Sequence, residues 1–135
     1  MELKYLSINN FFEDNLKDLK CQPDTRAYII SIYDKYKSSE FDLSKDNVTL
    51  MFVQARTKHN FYDYQNLGDW IFFSNTFAPK HLHAASKEYY DTIGRASYNS
   101  CFNLINRKWK LFQELADNFV ELEEQVKNKL NIFHK

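Results

Sequence analysis

Apolar positions along this chain recur at three- and four-residue spacings and rarely alternate one by one, which is the signature of amphipathic helices. The pattern predicts a first helix over 7–20 (SINNFFEDNLKDLK), with Ser7 or Asn9 as its cap. Pro23 stands where a first helical turn tolerates it and opens a second helix over 23–37, with Tyr28, Ile29, Ile32, Tyr33 and Tyr36 on one face. SSEFDLSKDN, 38–47, is polar and reads as a loop in which Asp46 or Asn47 can cap the next segment. VTLMFVQAR, 48–56, has the β-branched and aromatic content of a strand, but no second strand-like run exists to pair with it, and it is assigned to a helix. A helix over 60–77 stops before Pro79 in APKHLHAAS. Ser86 then caps a long helix running to about Ala116, and after a break near Asp117 and Asn118 a last amphipathic helix covers 119–133. The expected architecture is all-α, a compact bundle of five or six helices in one domain over 1–135.

Composition supports this reading. Two glycines and two prolines leave almost no material for hairpin turns. Aromatic residues make up 17% of the chain, so the core is expected to be rich in rings and some tyrosine hydroxyls will need buried partners. Eighteen basic residues balance eighteen acidic ones, a charge that favours neither nucleic acid nor an anionic membrane. No apolar run approaches the roughly 20 residues that span a bilayer. Cys21 and Cys101 both fall in helical patterns and no charged-then-apolar leader precedes them, so a reduced, cytoplasmic protein is expected.

Each glycine lies on an apolar helical face. Tyr64, Leu67, Gly68, Ile71 and Phe72 form one arc of the 60–77 helix, and Tyr62, Trp70, Phe73 and Phe77 form another, so this helix is expected at the centre of the bundle. On the Ser86 helix, Tyr90, Ile93, Leu104, Ile105, Leu111, Phe112 and Leu115 form a stripe along whose middle run Gly94, Ser97 and Cys101. These small residues make a groove, and the two helices are expected to cross there with Gly68 facing Gly94, Ser97 and Cys101. Asp69 sits at the edge of its arc, and Arg95 is its expected ion-pair partner; the alternative is a functional acid with a raised pKa in a pocket.

Other chemistry finds little support. Phosphate-cradling loops need glycines the chain lacks. Cys21 and Cys101 are too far apart in sequence to form a thiolate metal motif, and His59, His81 and His83 with Asp63 match no bundle metal spacing. No metal and no cofactor are expected. Cys101 reads as a core residue without a basic neighbour on its own face. RKWK, 107–110, combines bases with an aromatic as single-stranded nucleic acid binders do, but on a neutral chain it reads as a solvated patch, with Trp109 turned towards the apolar stripe.

NLGDWIFFSNTFAPKHL, EYYDTIGRASY and FQELADNF together resemble a pattern found in a group of uncharacterised bacterial all-helical proteins, a match that covers roughly 66–119 with weaker similarity at RAYIISIY. The resemblance implies that Gly68, Asp69, Tyr89, Tyr90, Gly94 and Tyr98 belong to one constellation, and it brings no activity to transfer. Two functions are expected of such a chain. One is a non-catalytic interaction module that self-associates, a dimer before other states, because the aromatic surplus exceeds what one small core hides. The other is a small-molecule-binding protein or enzyme, with a pocket between the glycine-bearing helices lined by Asp69, Tyr89, Tyr90, Arg95 and Tyr98. A cavity there would favour the second, a filled core the first.

Overall fold

In a computed structural model describing residues 11–130, the chain forms seven α-helices with a two-residue strand pair. Helix α1 covers 11–16 of the described chain, α2 Pro23–Tyr36, α3 Lys45–Lys58, α4 Phe61–Thr76, α5 Lys87–Leu104, α6 Lys110–Asp117 and α7 Phe119–Lys129. Strands β1 (Leu43–Ser44) and β2 (Leu82–His83) pair in parallel, Leu43 opposite Leu82 and Ser44 opposite His83. The all-α expectation holds, with a count slightly above five or six. None of the described helices is long and apolar enough to cross a membrane.

The central element is α4, which packs against α2, α3, α5 and α7. Leu67, Gly68, Asp69 and every residue from Ile71 to Thr76 are buried on it, as expected of a helix apolar on two sides. Tyr62, assigned to its second apolar sector, instead stands 70% exposed at its first turn. Helix α3 is the least embedded, burying only Val48 and Ala55.

Helix ends follow local chemistry. Pro23 opens α2 as expected. The cap of α3 is Ser44, whose hydroxyl accepts from the Asn47 amide, so neither Asp46 nor Asn47 caps this helix. Segment 48–56 lies inside α3 and is helical. Asn60 and Ser86 cap α4 and α5 through their side chains. The first helix ends at 16, earlier than expected, while its proposed caps Ser7 and Asn9 lie outside the described residues. Positions 131–133 of the expected last helix also lie outside them.

The largest departure is in the expected 86–116 helix, which is two helices. Asn106 and Arg107 take φ of 56° and 61°, in the left-handed region. The Arg107 amide reaches back to the Phe102 carbonyl at 2.9 Å and the Asn106 amide to the Asn103 carbonyl at 3.2 Å. This paired closure is the usual end of a helix, with asparagine in the place glycine more often takes. His59, with φ 49°, ends α3 in the same conformation. At the α6–α7 junction the expected break is present, and Asn118 both ends one helix and starts the next.

Candidate functional site

Gly68 and Asp69 serve one arrangement. A Cβ on Gly68 would lie 2.9 Å from Cε1 of Tyr98, so the missing side chain is the space that the Tyr98 ring fills. Lying across that notch, Tyr98 of α5 donates its hydroxyl to Asp69 Oδ1 at 2.7 Å. From α2, the Tyr28 hydroxyl reaches both carboxylate oxygens at 2.7 and 3.0 Å, and it accepts from Gln65 Nε2 at 3.0 Å. Asp69 is 4% exposed. Burial raises its pKa to about 7, against the opposing pull of the Tyr98 and Tyr28 hydroxyls and the charge of Lys35. The same burial, with the Asp69 charge alongside, drives both tyrosine hydroxyls far above their ordinary range.

The other expected contacts are corrected. Arg95 is exposed and makes no ion pair with Asp69, whose carboxylate is met by tyrosine hydroxyls. Gly94 does not face α4: a Cβ there would come within 2.5 Å of Cζ of Phe119, so its notch receives a ring from α7. The two glycines are thus separate sockets for rings, Gly68 for one from α5 and Gly94 for one from α7, while α4 and α5 pack against each other as expected. Ser97 and Cys101 are buried on α5. The Cys101 thiol points to the Phe61 carbonyl at 3.7 Å, and burial pushes its pKa up, which leaves it protonated and unreactive.

Tyr89 and Tyr90 lie away from Asp69. Tyr89 pairs with the Thr49 hydroxyl on α3. Tyr90 joins the two strands, its hydroxyl 2.6 Å from the Leu43 carbonyl and 2.7 Å from that of His83 while accepting from the His83 amide at 3.0 Å. Of the six residues grouped by the resemblance, Gly68, Asp69 and Tyr98 meet at the carboxylate, Gly94 adjoins them through the Phe119 ring that also contacts Tyr98, and Tyr89 and Tyr90 lie elsewhere. Enclosed in this way, Asp69 links three helices through the hydroxyls of Tyr28 and Tyr98.

A second polar centre was not anticipated. Asn75 on α4 donates to Asp91 Oδ1 at 3.1 Å and to Glu123 Oε2 at 2.6 Å. Lys87 donates to Asp91 Oδ2 at 2.6 Å and to Glu123 Oε1 at 3.3 Å. The Glu123 side chain is fully buried, that of Asp91 nearly so, and Lys87 at 42% exposure is the member that reaches water. Burial, then the adjacent Asp91 carboxylate, raises the pKa of Glu123. The sequence carried one hint, the i,i+4 pair of Lys87 and Asp91.

The histidines also separate. His81 is buried with Nδ1 3.1 Å from the Ser74 hydroxyl, while exposed His83 pairs with Asp42 at 3.1 Å. Among the described residues no three His, Cys, Asp or Glu side chains are placed to hold a metal ion. Trp109 departs from its expected inward orientation: it is 57% exposed, with one face stacked on Phe112 at 6.1 Å between ring centres. Comparison with known protein families, curated proteins and solved structures found no match to this chain.

Proposed function

We propose that this protein is a non-catalytic helical interaction module that self-associates through the outer face of α3. The observation carrying the reading is that Leu50 and Val53, one turn apart on α3, are 56% and 40% exposed. A large aliphatic residue left in water forfeits about 1.5–3 kcal/mol of burial, so an adjacent pair on the least embedded helix favours a covering partner.

The charge order of α3 favours a second copy as that partner. Asp46 stands in its first turn and Arg56 and Lys58 in its last. Two such helices laid antiparallel about a two-fold axis between Met51 and Phe52 would set Leu50 of one copy against Val53 of the other. The same pairing brings Asp46 towards the basic end opposite, an isologous contact. The burial of Asp69 beneath the Tyr28 and Tyr98 hydroxyls favours a structural role for this acid over an enzyme working between α4 and α5.

Sedimentation equilibrium from about 1 to 100 μM is the test, a range that spans a dissociation free energy near 6–8 kcal/mol. We expect a monomer–dimer equilibrium that Leu50→Glu with Val53→Glu abolishes and Tyr62→Glu, on α4, leaves unchanged. A monomer throughout that range would overturn the reading.

A further inference from the structure

Where α7 meets α4 and α5, the polar cluster is closed in hydrogen bonds but open in charge. Asn75 gives N–H groups to Asp91 Oδ1 and Glu123 Oε2, and Lys87 gives others to Asp91 Oδ2 and Glu123 Oε1, so every oxygen of both carboxyls accepts one bond. Yet one ammonium faces two carboxyls. With both ionised, the cluster would carry an uncompensated negative charge, and the Glu123 side chain has no contact with water. A single proton held between the carboxyls removes that charge.

Geometry assigns the proton to Glu123. The Lys87 ammonium stands 2.6 Å from Asp91 and 3.3 Å from Glu123, and the Asp91 side chain keeps 12% of its surface in water while that of Glu123 keeps none. Of two like charges in one site, the drier one with the more distant cation is the one that stays neutral. Burial and the Asp91 carboxylate push the Glu123 carboxyl upward, in keeping with this. From α2 the Tyr33 hydroxyl also faces Glu123, kept protonated by its own burial. From α4 comes only the Asn75 amide, α6 brings no charged group into contact with it among the described residues, and the α1–α2 connection meets α7 at Gln125 through backbone groups of Lys20. Helix α7 joins α6 through Asn118, with no side-chain cap. Its buried residues are Phe119, Leu122, Glu123 and Val126, so this carboxyl is the one ionisable group on its buried face.

We propose that one proton, held by Glu123 and shared with Asp91, latches α7 onto α4 and α5, and that α7 opens locally when this proton passes to solvent. The ionised carboxyl reaches water only if α7 moves away. Once solvated it is an ordinary glutamate, which titrates near pH 4.3. Below that value closed and open forms both hold the proton and pH has no effect. Above it the closed form keeps a proton that the open form has lost, so opening is favoured by up to about tenfold per pH unit until the closed form ionises too. The latch shares no residue with the Asp69 site or the α3 face.

Two measurements on the full chain test this. Carbon-13 NMR of glutamate carboxyls should show one that is still protonated at about pH 6, where ordinary glutamates are ionised, and Glu123→Gln should remove that signal. Hydrogen exchange is then followed in an Asp69→Asn background, which silences the other buried acid, with protection taken relative to the intrinsic rate at each pH. Protection of α7 amides should fall by about tenfold per unit from about pH 5 to 7, and at about pH 7 should lie at least about tenfold below that of α4 amides. Glu123→Gln, neutral at every pH, should leave α7 protection within about threefold over the same range. Asp91→Asn frees Lys87 to neutralise Glu123 alone and should make the fall shallower, a second reading if Glu123→Gln does not fold. The proposal is overturned if every glutamate is ionised at about pH 6, or if Asp91→Asn and Glu123→Gln keep the parent's slope. Equal protection of α7 and α4 at every pH also overturns it, because opening would then be global.

Discussion

A methyl group at Gly94 would lie 2.5 Å from the Phe119 ring, and one at Gly68 2.9 Å from the Tyr98 ring. Alanine in a helix gains about 1 kcal/mol over glycine, but overpacking a filled core costs about 1–3 kcal/mol. We therefore expect both Gly68→Ala and Gly94→Ala to destabilise, Gly94→Ala the more because the contact there is closer. Urea unfolding checks the order, and a Gly94→Ala protein as stable as the parent would show that Phe119 yields easily.

Asp69 gives a pH dependence of defined sign. Its folded pKa is raised to about 7, whereas an unfolded aspartate titrates near 3.9. Between those values the folded chain holds a proton that the unfolded chain has lost. Its contribution is complete below the lower value and disappears as pH rises through the upper one. Glu123, also shifted upward, acts in the same direction. Unfolding midpoints should therefore fall from pH 5 to pH 8, with Asp69 contributing up to about 1.4 kcal/mol per pH unit until its folded pKa is reached. Asp69→Asn should flatten that slope. A profile as steep as the parent's would place the titration elsewhere.

At the level of elements, the caps are the simplest to test. Ser86 accepts from the Tyr89 amide at 3.1 Å, and Ser86→Ala should cost about 1 kcal/mol, read as a lowered urea midpoint. Asn106→Gly, at φ 56°, should cost little or stabilise by up to about 1 kcal/mol in the same measurement, because glycine adopts that conformation without strain.

These two positions also show what the sequence discloses and what it withholds. Ser86 before an apolar-periodic run announces a helix start, and the structure places the cap there. Asn106 gives a weaker warning, because asparagine favours helix ends yet also stands inside α5 at Asn99 and Asn103, and the stripe drawn past Leu104 on a single wheel continues through a turn. Periodicity identifies faces but not the residue that arrives from another helix. Asp69 reads from the sequence as an acid in need of a partner, yet Tyr28 comes from α2 and Tyr98 lies three residues beyond the expected Arg95. Asn75, Asp91 and Glu123 come from three different helices, so no spacing within one segment reveals them.

For the whole molecule, the proposed self-association would make thermal stability depend on concentration. If only the dimer covers α3, each tenfold dilution within the range where the dimer is populated should lower the unfolding midpoint, while Leu50→Glu should remove that dependence. Calorimetric scans at two concentrations check this.

A final consequence comes from Gln125 on α7, whose side-chain amide accepts from the Lys20 amide at 2.8 Å and donates to the Lys20 carbonyl at 3.3 Å. One glutamine thereby treats the α1–α2 connection as a neighbouring strand, tying positions 105 residues apart. In the native order of the chain this contact encloses nearly every other element in a single large loop, whose closure entropy must be met before the two hydrogen bonds form. Circular permutation, joining the ends with a short flexible linker and opening the chain between Ser38 and Ser39, would make that contact local. The permuted protein should then refold faster than the parent.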